Sequence, residues 1–294
     1  MRHWTMHNRT ITDDSPPYVV AEVSHNHQGS RMMAREMIRV AAECGADAVK
    51  FQKRSPSFYA ALRAKGLHDY AALREARELS LPAYASLRDV AHEHGLALLA
   101  TAFDTEAVAF LVEAGVDGIK LASGATHNHA LLDVAAATGL PVLLSTGCAG
   151  MADVEIAMMA LRPRGNVALL QCTSAYPCAS SDMHLRTILE YRGLYPETIV
   201  GLSSHHPGTW LEPAAVALGA RIVEKHFTLS KRLGPGDHAN SLEPDELAEL
   251  AARLREAHAA LGDREKRFLP CEETGRLRLD VAYRPSPKPE PMGA

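Results

Sequence analysis

The chain has 294 residues, of which 47% are hydrophobic, and its formal net charge is -4 at pH 7. This length suits one large barrel or two small domains, and the charge gives no support to a nucleic-acid-binding function, which usually brings a basic excess. The five cysteines form no CxxC pair, and we find neither a signal peptide nor an apolar run of membrane-spanning length, so a cytoplasmic protein without membrane contact is expected.

Short apolar segments alternate with amphipathic ones along most of the chain. After an N-terminal extension over residues 1–17, we predict eight strands that begin at Tyr18, Ala48, Ala97, Gly118, Pro141, Val167, Thr198 and Arg221. Their richness in Val, Leu and Ile is typical of strands buried on both faces of a parallel sheet. Helices are predicted between them, for example over residues 32–43 and 83–94, and several end at a glycine just before the next strand: Gly45, Gly95, Gly115, Gly139 and Gly219.

Eight strands with intervening helices predict an α/β fold, a single-domain TIM (β/α)₈ barrel over residues 18–262. A doubly wound open sheet is the alternative, and it is disfavoured because no glycine-rich dinucleotide fingerprint follows the first strand. Residues 263–294 form a tail with little periodicity and a proline-rich end. We expect extended packing and a disordered end for this tail.

Polar residues recur where the predicted strands end. In a parallel barrel these ends meet at one mouth, where the active site lies. The mouth is predicted to contain carboxylate, lysine, amide, hydroxyl and imidazole groups: Glu22, Lys50, Gln52, Thr101, Lys120, Ser123, Ser145, Ser174, Tyr176, Ser203, His205 and His226. A structural role alone would not call for two lysines in strands, because burying an unpaired charge is costly. Outward, solvated lysines are the alternative.

These groups suit an anionic substrate and a metal ion. Lysine and hydroxyl donors together bind phosphate and carboxylate. His205 and His226 lie on adjacent predicted strands, so their imidazoles could share one divalent metal, whereas local hydrogen bonding without a metal is the alternative. His25 and His27 are a weaker candidate pair, because a spacing of two is little signal by itself. Cys172 is interpreted as an ordinary buried thiol and not as a nucleophile.

Nine motifs in chain order resemble those of the sialic acid synthases, a family that also makes legionaminic and pseudaminic acids and includes spore-coat polysaccharide homologues. The motifs are AEVSHNHQGS at Ala21, GADAVKFQ at Gly45, TAFD at Thr101, IKLASG at Ile119, LPVLLSTG at Leu140, CTSAYP at Cys172, GLSSHH at Gly201, EKHFTL at Glu224 and GPGDHANSLEPDEL at Gly234. The resemblance covers residues 18–262, and nine ordered motifs make it a specific one.

The resemblance implies a role for each group at the mouth. Phosphoenolpyruvate is expected to contact Lys50, Thr101, Lys120, Ser123, Ser145, Ser174 and Ser203. The implied metal ligands, which would also be catalytic, are His205 and His226, usually with manganese and otherwise with magnesium, cobalt or zinc. The acceptor aldehyde is expected near Glu22, Gln52, Tyr176 and Asp237.

The implied reaction is a condensation by a transferase of the EC 2.5.1 type. The bound metal would polarise the aldehyde oxygen, and the methylene carbon of phosphoenolpyruvate would attack the aldehyde carbon. Water would add at the enol carbon, and loss of phosphate would give a 2-keto-3-deoxy acid of the nonulosonic type. Glu22 would act as the acid–base catalyst if the barrel raises its pKa. Lys50 and Lys120 would neutralise the phosphate and carboxylate.

Several features depart from the family pattern. The usual Ser-Asp-His-Thr motif here has Ser204 in place of the aspartate and His206 in place of the threonine, and Ala125 stands where an acidic residue is common. The loop after the second predicted strand is shorter than in many members. The sequence shows no segment that resembles the family's C-terminal antifreeze-like domain, which caps the partner subunit in a swapped dimer. We therefore expect a homodimer whose aldehyde acceptor is not the usual N-acetylmannosamine.

Two other functions stay open at this point. A pyruvate aldolase would use Lys50 or Lys120 to form a Schiff base, and borohydride trapping with pyruvate would identify it. A barrel without catalytic activity could serve as a binding or regulatory subunit, because function resides in the site and not in the fold. The altered motif at Ser204 keeps this second alternative open.

Overall fold

A hairpin and a closed barrel make up the strands of the computed structural model, which describes residues 2–234, 236–263 and 265–283. The hairpin consists of β1 (His3–Met6) and β2 (Arg9–Thr12). Eight parallel strands follow: β3 (Tyr18–Ser24), β4 (Ala48–Lys53), β5 (Ala97–Ala102), β6 (Gly118–Leu121), β7 (Val142–Ser145), β8 (Val167–Cys172), β9 (Ile199–Ser204) and β10 (Ile222–His226). Pairing of β10 with β3 closes the barrel, which confirms the predicted fold.

Helices connect successive strands of the barrel. They are α1 (Arg31–Glu43), α2 (Pro56–Ala64), α3 (His68–Glu75), α4 (Leu81–Glu93), α5 (Thr105–Ala114), α6 (His129–Ala137), α7 (Met151–Leu161), α8 (Thr187–Leu194), α9 (Glu212–Ala217) and α10 (Pro244–Leu261). In the described ranges, side-chain oxygens cap four of the α-helix starts; for example, Ser30 accepts from the amide of Met33 and Asp104 from that of Ala107. The predicted stops at Gly45, Gly95, Gly115, Gly139 and Gly219 are confirmed, because each has a positive φ.

Two apolar layers hold the barrel together. The larger layer lies between strands and helices and includes Val49 and Phe51 of β4 together with Leu87 of α4. The smaller layer fills the inside of the barrel and includes Val20 and Leu99. Residues on both faces of each strand are therefore buried, which is why the strand segments are almost continuously apolar.

The N-terminal hairpin closes the end of the barrel at which the strands begin. Trp4, Met6 and Ile11 are completely buried and belong to the inner apolar layer. The Trp4 ring packs edge-on against Tyr18 with 5.8 Å between ring centroids. The amide of Thr5 donates to the side-chain oxygen of Asn166, which directly precedes β8, at 3.0 Å. The segment at residues 2–17, to which the sequence analysis assigned no secondary structure, thus acts as an apolar plug.

Beyond Leu261, the described residues 262–263 and 265–283 belong to a second unit of the chain. It contains α11 (Glu273–Tyr283), so the expectation of an extended tail is wrong over these residues. Arg276 lies 3.9 Å from Glu273 and 4.0 Å from Asp280, and such pairs at spacings of three and four favour a helix. The proline-rich end, for which disorder was predicted, lies outside the described residues. Across the described ranges, no helix is long and apolar enough to cross a membrane.

Candidate active site

A cavity of about 400 Å³ opens among the C-terminal ends of the barrel strands. Its wall contains all the residues that the sequence and the resemblance assigned to the site: Glu22, Lys50, Gln52, Thr101, Lys120, Ser123, Ser145, Ser174, Tyr176, Ser203, His205, His226 and Asp237. Strand register explains much of this convergence. Lys50 is paired with Glu22 on one neighbouring strand, and Thr101 with Lys120 on another. The structure therefore brings these residues together, while their roles remain predictions.

Alternating charges form the floor of the cavity. The Lys50 Nζ lies 3.0 Å from Glu22 Oε2 and 3.2 Å from Glu224 Oε1, and it donates to Thr101 Oγ1 at 3.0 Å. The Lys120 Nζ lies 3.6 Å from the same Glu224 oxygen. All five side chains are buried. Glu224 thus bridges two lysines that reach the cavity from different strands.

Burial and neighbouring charges shift the pKa values of these groups in different directions. Burial raises the pKa of Glu22 above its ordinary value, although Lys50 opposes the shift. Burial also acts to raise the pKa of Glu224, but Lys120 and Lys50 outweigh it and lower the pKa. Burial lowers the pKa of Lys120, whereas for Lys50 the two glutamates outweigh burial and raise the pKa. Of the two glutamates, Glu22 is therefore the one that holds a proton more readily, and Lys120 is the less compensated of the two lysines.

Serine hydroxyls form a second part of the wall, around Gly147. The Gly147 amide donates to Ser123 Oγ at 2.9 Å. A Cβ atom at position 147 would lie 2.2 Å from Ser174 Oγ and 2.7 Å from Ser123 Oγ, so glycine is required for this close approach. Within the described part of the chain, the buried Ser145 Oγ has no hydrogen-bond partner. A ligand oxygen would satisfy it.

The two predicted metal ligands lie side by side, with 5.6 Å between the ring centroids of His205 and His226. His205 Nδ1 lies 2.8 Å from the carbonyl oxygen of Thr173, so this nitrogen donates and Nε2 keeps a free lone pair. Burial lowers the pKa of His226 to about 4, which leaves its imidazole neutral near pH 7. Tyr176 packs over His205 at 4.0 Å between centroids. Two adjacent imidazoles in the wall of one cavity fit a divalent metal.

The rim of the cavity contains a second set of charges. Arg74 donates to both carboxylate oxygens of Asp237, at 3.0 and 3.3 Å, and Ser24 also donates to this carboxylate. Burial would raise the pKa of Asp237, but His226 and Arg74 hold it far below its ordinary value. Asp237 is therefore an anchored anion beside the histidine pair.

Sequence reasoning gave no role to three charged residues of the wall, Glu224, Arg54 and Arg74, although it placed Glu224 at the end of a predicted strand. Glu224 precedes the predicted ligand His226 by two residues in β10, and Arg54 follows Gln52 by two just beyond β4. Alternate residues of a strand share a face, so this spacing was the available signal. The Arg54 guanidinium donates to Gln52 Oε1 at 2.9 Å and lies over the Phe103 ring at 3.7 Å.

The altered motif in β9 leads to a buried network below the cavity. Ser204 donates to Glu212 Oε1 at 2.7 Å, and Lys225 lies 2.9 Å from the same oxygen. Lys225 also donates to the backbone carbonyl of His206. The His206 ring lies 3.1 Å from Ser180 and is not part of the cavity wall. Glu212 thus supplies a carboxylate next to the position where the family pattern has aspartate.

Three other residues singled out in the sequence lie as follows. His25 and His27 are buried but do not line the cavity; His25 lies 3.7 Å from Glu78, and His27 Nδ1 accepts from the Gly29 amide at 3.1 Å. Cys172 does line the cavity, with its sulfur 3.9 Å from His205 Nδ1. It is buried, as the sequence predicted.

Known proteins resemble this chain over most of its length. Residues 37–266 match the NeuB family. The human N-acetylneuraminate-9-phosphate synthase is 39% identical over 275 residues, which cover 90% of this chain and 76% of the human protein. The N,N'-diacetyllegionaminic acid synthase of Campylobacter jejuni is 35% identical, with 87% of this chain and 80% of that protein covered.

A solved structure resembles the whole chain. It is the N-acetylneuraminic acid synthetase of Leptospira borgpetersenii in complex with citrate. The two structures superpose with a TM-score of 0.86 and share 31% sequence identity, and the match covers 97% of this chain and 98% of the other. These relatives are synthases by name, which confirms the predicted enzyme class, a synthase that forms a carbon–carbon bond. The chain belongs to the NeuB family, as its motifs predicted.

Proposed function

We propose that the cavity condenses phosphoenolpyruvate with a sugar-like aldehyde, giving a 2-keto-3-deoxy acid and phosphate. The observation that carries this proposal is the combination of two buried lysines, a serine-lined lobe and a pair of adjacent histidines in one cavity. Two lysines with several hydroxyls suit a substrate that bears both phosphate and carboxylate. The neighbouring histidines suit a metal that binds an aldehyde oxygen.

Phosphoenolpyruvate would lie between the charged floor and the serine lobe. Glu22 and Glu224 hold Lys50 and Lys120 in position before any substrate binds. An incoming anion would therefore meet two positioned cations and would compete with the two glutamates for them. Its remaining oxygens would accept from the serine lobe and from Thr101 and Ser203. The resulting contacts are those assigned by the resemblance: Lys50, Thr101, Lys120, Ser123, Ser145, Ser174 and Ser203.

Glu22 can account for the proton transfers. Its raised pKa lets it donate a proton to the aldehyde oxygen as the phosphoenolpyruvate methylene forms a bond to the aldehyde carbon. The resulting carboxylate then takes a proton from the water that adds at the enol carbon. The adduct then breaks its carbon–oxygen bond to phosphate, and the proton of its new hydroxyl group leaves with the phosphate as the ketone forms. Gln52 donates to Glu22 Oε1 at 2.7 Å and would hold the carboxyl group in position throughout.

His205 and His226 would hold a divalent metal, for which we propose manganese, with magnesium, cobalt and zinc as alternatives. When bound, the metal would supply a Lewis acid for the aldehyde. The Thr173 carbonyl fixes the ring of His205 in the required orientation. Tyr176 and Asp237 lie beside the pair and would face the acceptor.

We propose further that the acceptor sugar carries an anionic group, such as phosphate, on the side of Arg54. This residue is buried, and in the described part of the chain its Nε and Nη1 have no hydrogen-bond partner. The human relative is named for a 9-phosphate product. Because phosphoenolpyruvate contributes three carbons, such a product derives from an aldehyde phosphorylated at carbon 6. This agrees with an acceptor other than free N-acetylmannosamine.

Phosphate release from phosphoenolpyruvate tests the reaction. The purified chain is assayed with aldehydes and their phosphate esters, with and without Mn²⁺. His226→Ala should abolish metal-dependent turnover while the circular dichroism spectrum is unchanged, and His206→Ala is the control because its ring lies outside the wall. Silence across the acceptor panel, or full activity of His226→Ala, would contradict the proposal. Inactivation by borohydride with pyruvate would instead indicate a Schiff-base aldolase.

A kinetic comparison tests the anionic acceptor. Arg54→Gln should raise KM for a phosphorylated acceptor by about 10- to 100-fold, because a charge-assisted hydrogen bond contributes roughly 1.5–3 kcal/mol. KM for phosphoenolpyruvate should stay within about twofold and serves as the internal control. An equal rise in both constants, or no preference of the parent enzyme for phosphorylated sugars, would refute this assignment.

We also propose that the protein is cytoplasmic and that it forms a homodimer. All five cysteines lie within the described residues and are free thiols, which supports a reducing, cytoplasmic environment. A homodimer is proposed from the family resemblance. Sedimentation equilibrium of the purified chain at micromolar concentration would test the dimer, and a monomer would contradict it.

A further inference from the structure

A histidine–aspartate cluster lies at the end of the barrel opposite the cavity. His7 comes from the turn between β1 and β2, His92 from the last turn of α4, and Asp117 from the residue before β6. One potential ligand atom from each residue lies within 4.8 Å of the other two. Three separate parts of the chain therefore meet at this point, and none of the three residues lines the cavity of the active site.

The geometry of the cluster is tight. His7 Nδ1 lies 3.1 Å from Asp117 Oδ1. His92 Nε2 lies 3.0 Å from Asp117 Oδ1 and 2.9 Å from Oδ2. The two imidazoles stack with 4.3 Å between centroids and 27° between planes. Asp117 is nearly buried, with 9% of its side chain exposed, whereas about a third of each histidine side chain is open to solvent.

We propose that His7, His92 and Asp117 bind a Zn²⁺ ion. Two imidazole nitrogens and one carboxylate oxygen are a common ligand set for zinc. Ligand atoms about 2 Å from one tetrahedral ion are separated by about 3.3 Å, which is close to the observed spacing around Asp117 Oδ1. The partial exposure of both rings leaves a route for the ion and a fourth position for water.

The location gives the ion a structural role. His7 has φ +51, a conformation that is uncommon for residues other than glycine, and the turn that it occupies projects its ring towards Asp117. The same hairpin buries Trp4 and Met6 inside the barrel. A zinc ion at the turn would join the plug to α4 and to β6. It would stabilise the folded chain by mass action, because the unfolded chain does not hold the three ligands together.

The alternative is a hydrogen-bonded cluster in which both imidazoles donate to Asp117 without a metal. The two cases differ in zinc stoichiometry. Asp117 also accepts from the Leu98 amide at 2.7 Å, so replacing it would disturb the barrel in either case. His7→Gln and His92→Gln are better probes, because they remove ligands and leave that backbone contact in place.

Zinc titration of the full chain tests the proposal. After treatment with a chelator, His226→Ala, in which the active-site ligand pair is broken, should bind one Zn²⁺ by isothermal titration calorimetry. His226→Ala combined with His7→Gln and His92→Gln should bind none. His226→Ala combined with His94→Ala is the matched control and should still bind one. If His226→Ala binds no zinc, or if the variant without His7 and His92 binds as much as its parent, the proposal is wrong.

Thermal unfolding provides a second readout that does not depend on the His226 variant. Zinc at about one hundred times its dissociation constant should raise the Tm of the otherwise unchanged chain by roughly 5 °C more than it raises that of His7→Gln/His92→Gln. Both proteins keep the active-site histidines, so binding there cancels in the comparison. Equal shifts in the two proteins would overturn the proposal. Phosphate-release activity tests the proposed function independently of this result.

Discussion

The two ends of the barrel are built from the same eight strands but contain opposite chemistry. At the end where the strands begin, the hairpin inserts Trp4, Met6 and Ile11 into an apolar interior. At the end where they finish, Lys50 and Lys120 are buried among carboxylates. Apolar packing closes the first end, whereas the second end opens into a cavity whose floor consists of paired charges.

This difference separates stability from function within one fold. Apolar packing at the plug contributes to stability in proportion to buried area. Buried charges at the mouth contribute little to stability on balance, since desolvation offsets their attraction, but they are ready for an anionic substrate. Variants at the plug should therefore change the free energy of unfolding, and variants at the mouth should chiefly change turnover.

The largest effect is expected from the lysines. Lys50→Met and Lys120→Met should each lower kcat/KM for phosphoenolpyruvate by about 10³- to 10⁴-fold, or roughly 4–5.5 kcal/mol. Their stabilities should differ. Lys50→Met leaves Glu22 and Glu224 undercompensated and should cost roughly 3–5 kcal/mol in urea unfolding. Lys120→Met should be neutral or slightly stabilising, because burial already lowers the pKa of Lys120. Equal destabilisation by both would contradict this account of the floor.

Removing the Trp4 indole from the plug should have the opposite result, a loss of stability with little change in turnover. Trp4→Ala empties a completely buried site and should lower the free energy of unfolding by about 3–5 kcal/mol. The value of kcat/KM, measured well below the lowered Tm, should stay within about twofold, because the cavity lies at the other end. Thr10→Ala is a matched control from an exposed position of the same hairpin. A large loss of turnover at unchanged folding would show that the two ends are coupled.

A smaller effect on turnover is expected at Gly147, where the serine hydroxyls approach the backbone too closely for any side chain. Gly147→Ala places a methyl group 2.2 Å from Ser174 Oγ and should displace both neighbouring hydroxyls. KM for phosphoenolpyruvate should rise about 10- to 100-fold, as expected for the loss of one or two hydrogen bonds to a charged group. Gly150→Ala, whose nearest neighbour would lie 3.6 Å away, is the control. An unchanged KM would remove the serine lobe from the proposed site.

The smallest effect concerns pH and a buried histidine that follows β3 but does not line the cavity. Burial lowers the pKa of His27 to about 3, so the folded chain keeps this imidazole neutral while the unfolded chain protonates it below about pH 6.5. Between these values the unfolded state binds more protons, so stability falls as pH falls. From pH 7 to pH 5 the loss from His27 should be about 2 kcal/mol. His27→Gln should remove this part of the pH dependence, which urea unfolding at pH 7 and pH 5 would measure. If the variant lost as much stability as the parent between the two pH values, the prediction would be wrong.

Much of the site was predictable because strand ends are encoded locally. Most polar residues at the mouth lie in the last part of an apolar strand or just after it, and a parallel barrel brings all strand ends to one side. Arg54 and Glu224 were given no role, although each follows or precedes a predicted site residue by two positions. Their significance depends on partners from other strands, such as the two lysines around Glu224, and those partners are far apart in the chain.

The sequence by itself determined the order of strands and helices, the glycine stops, the family and the residues of the mouth, because each depends on local pattern or on ordered motifs. Tertiary structure alone decided that the hairpin plugs the barrel and that Glu224 joins Lys50 and Lys120. It also decided that His7 and His92 meet at Asp117. The physical reason is that burial, and with it the pKa of a charged group, depends on neighbours that only the closed barrel brings together.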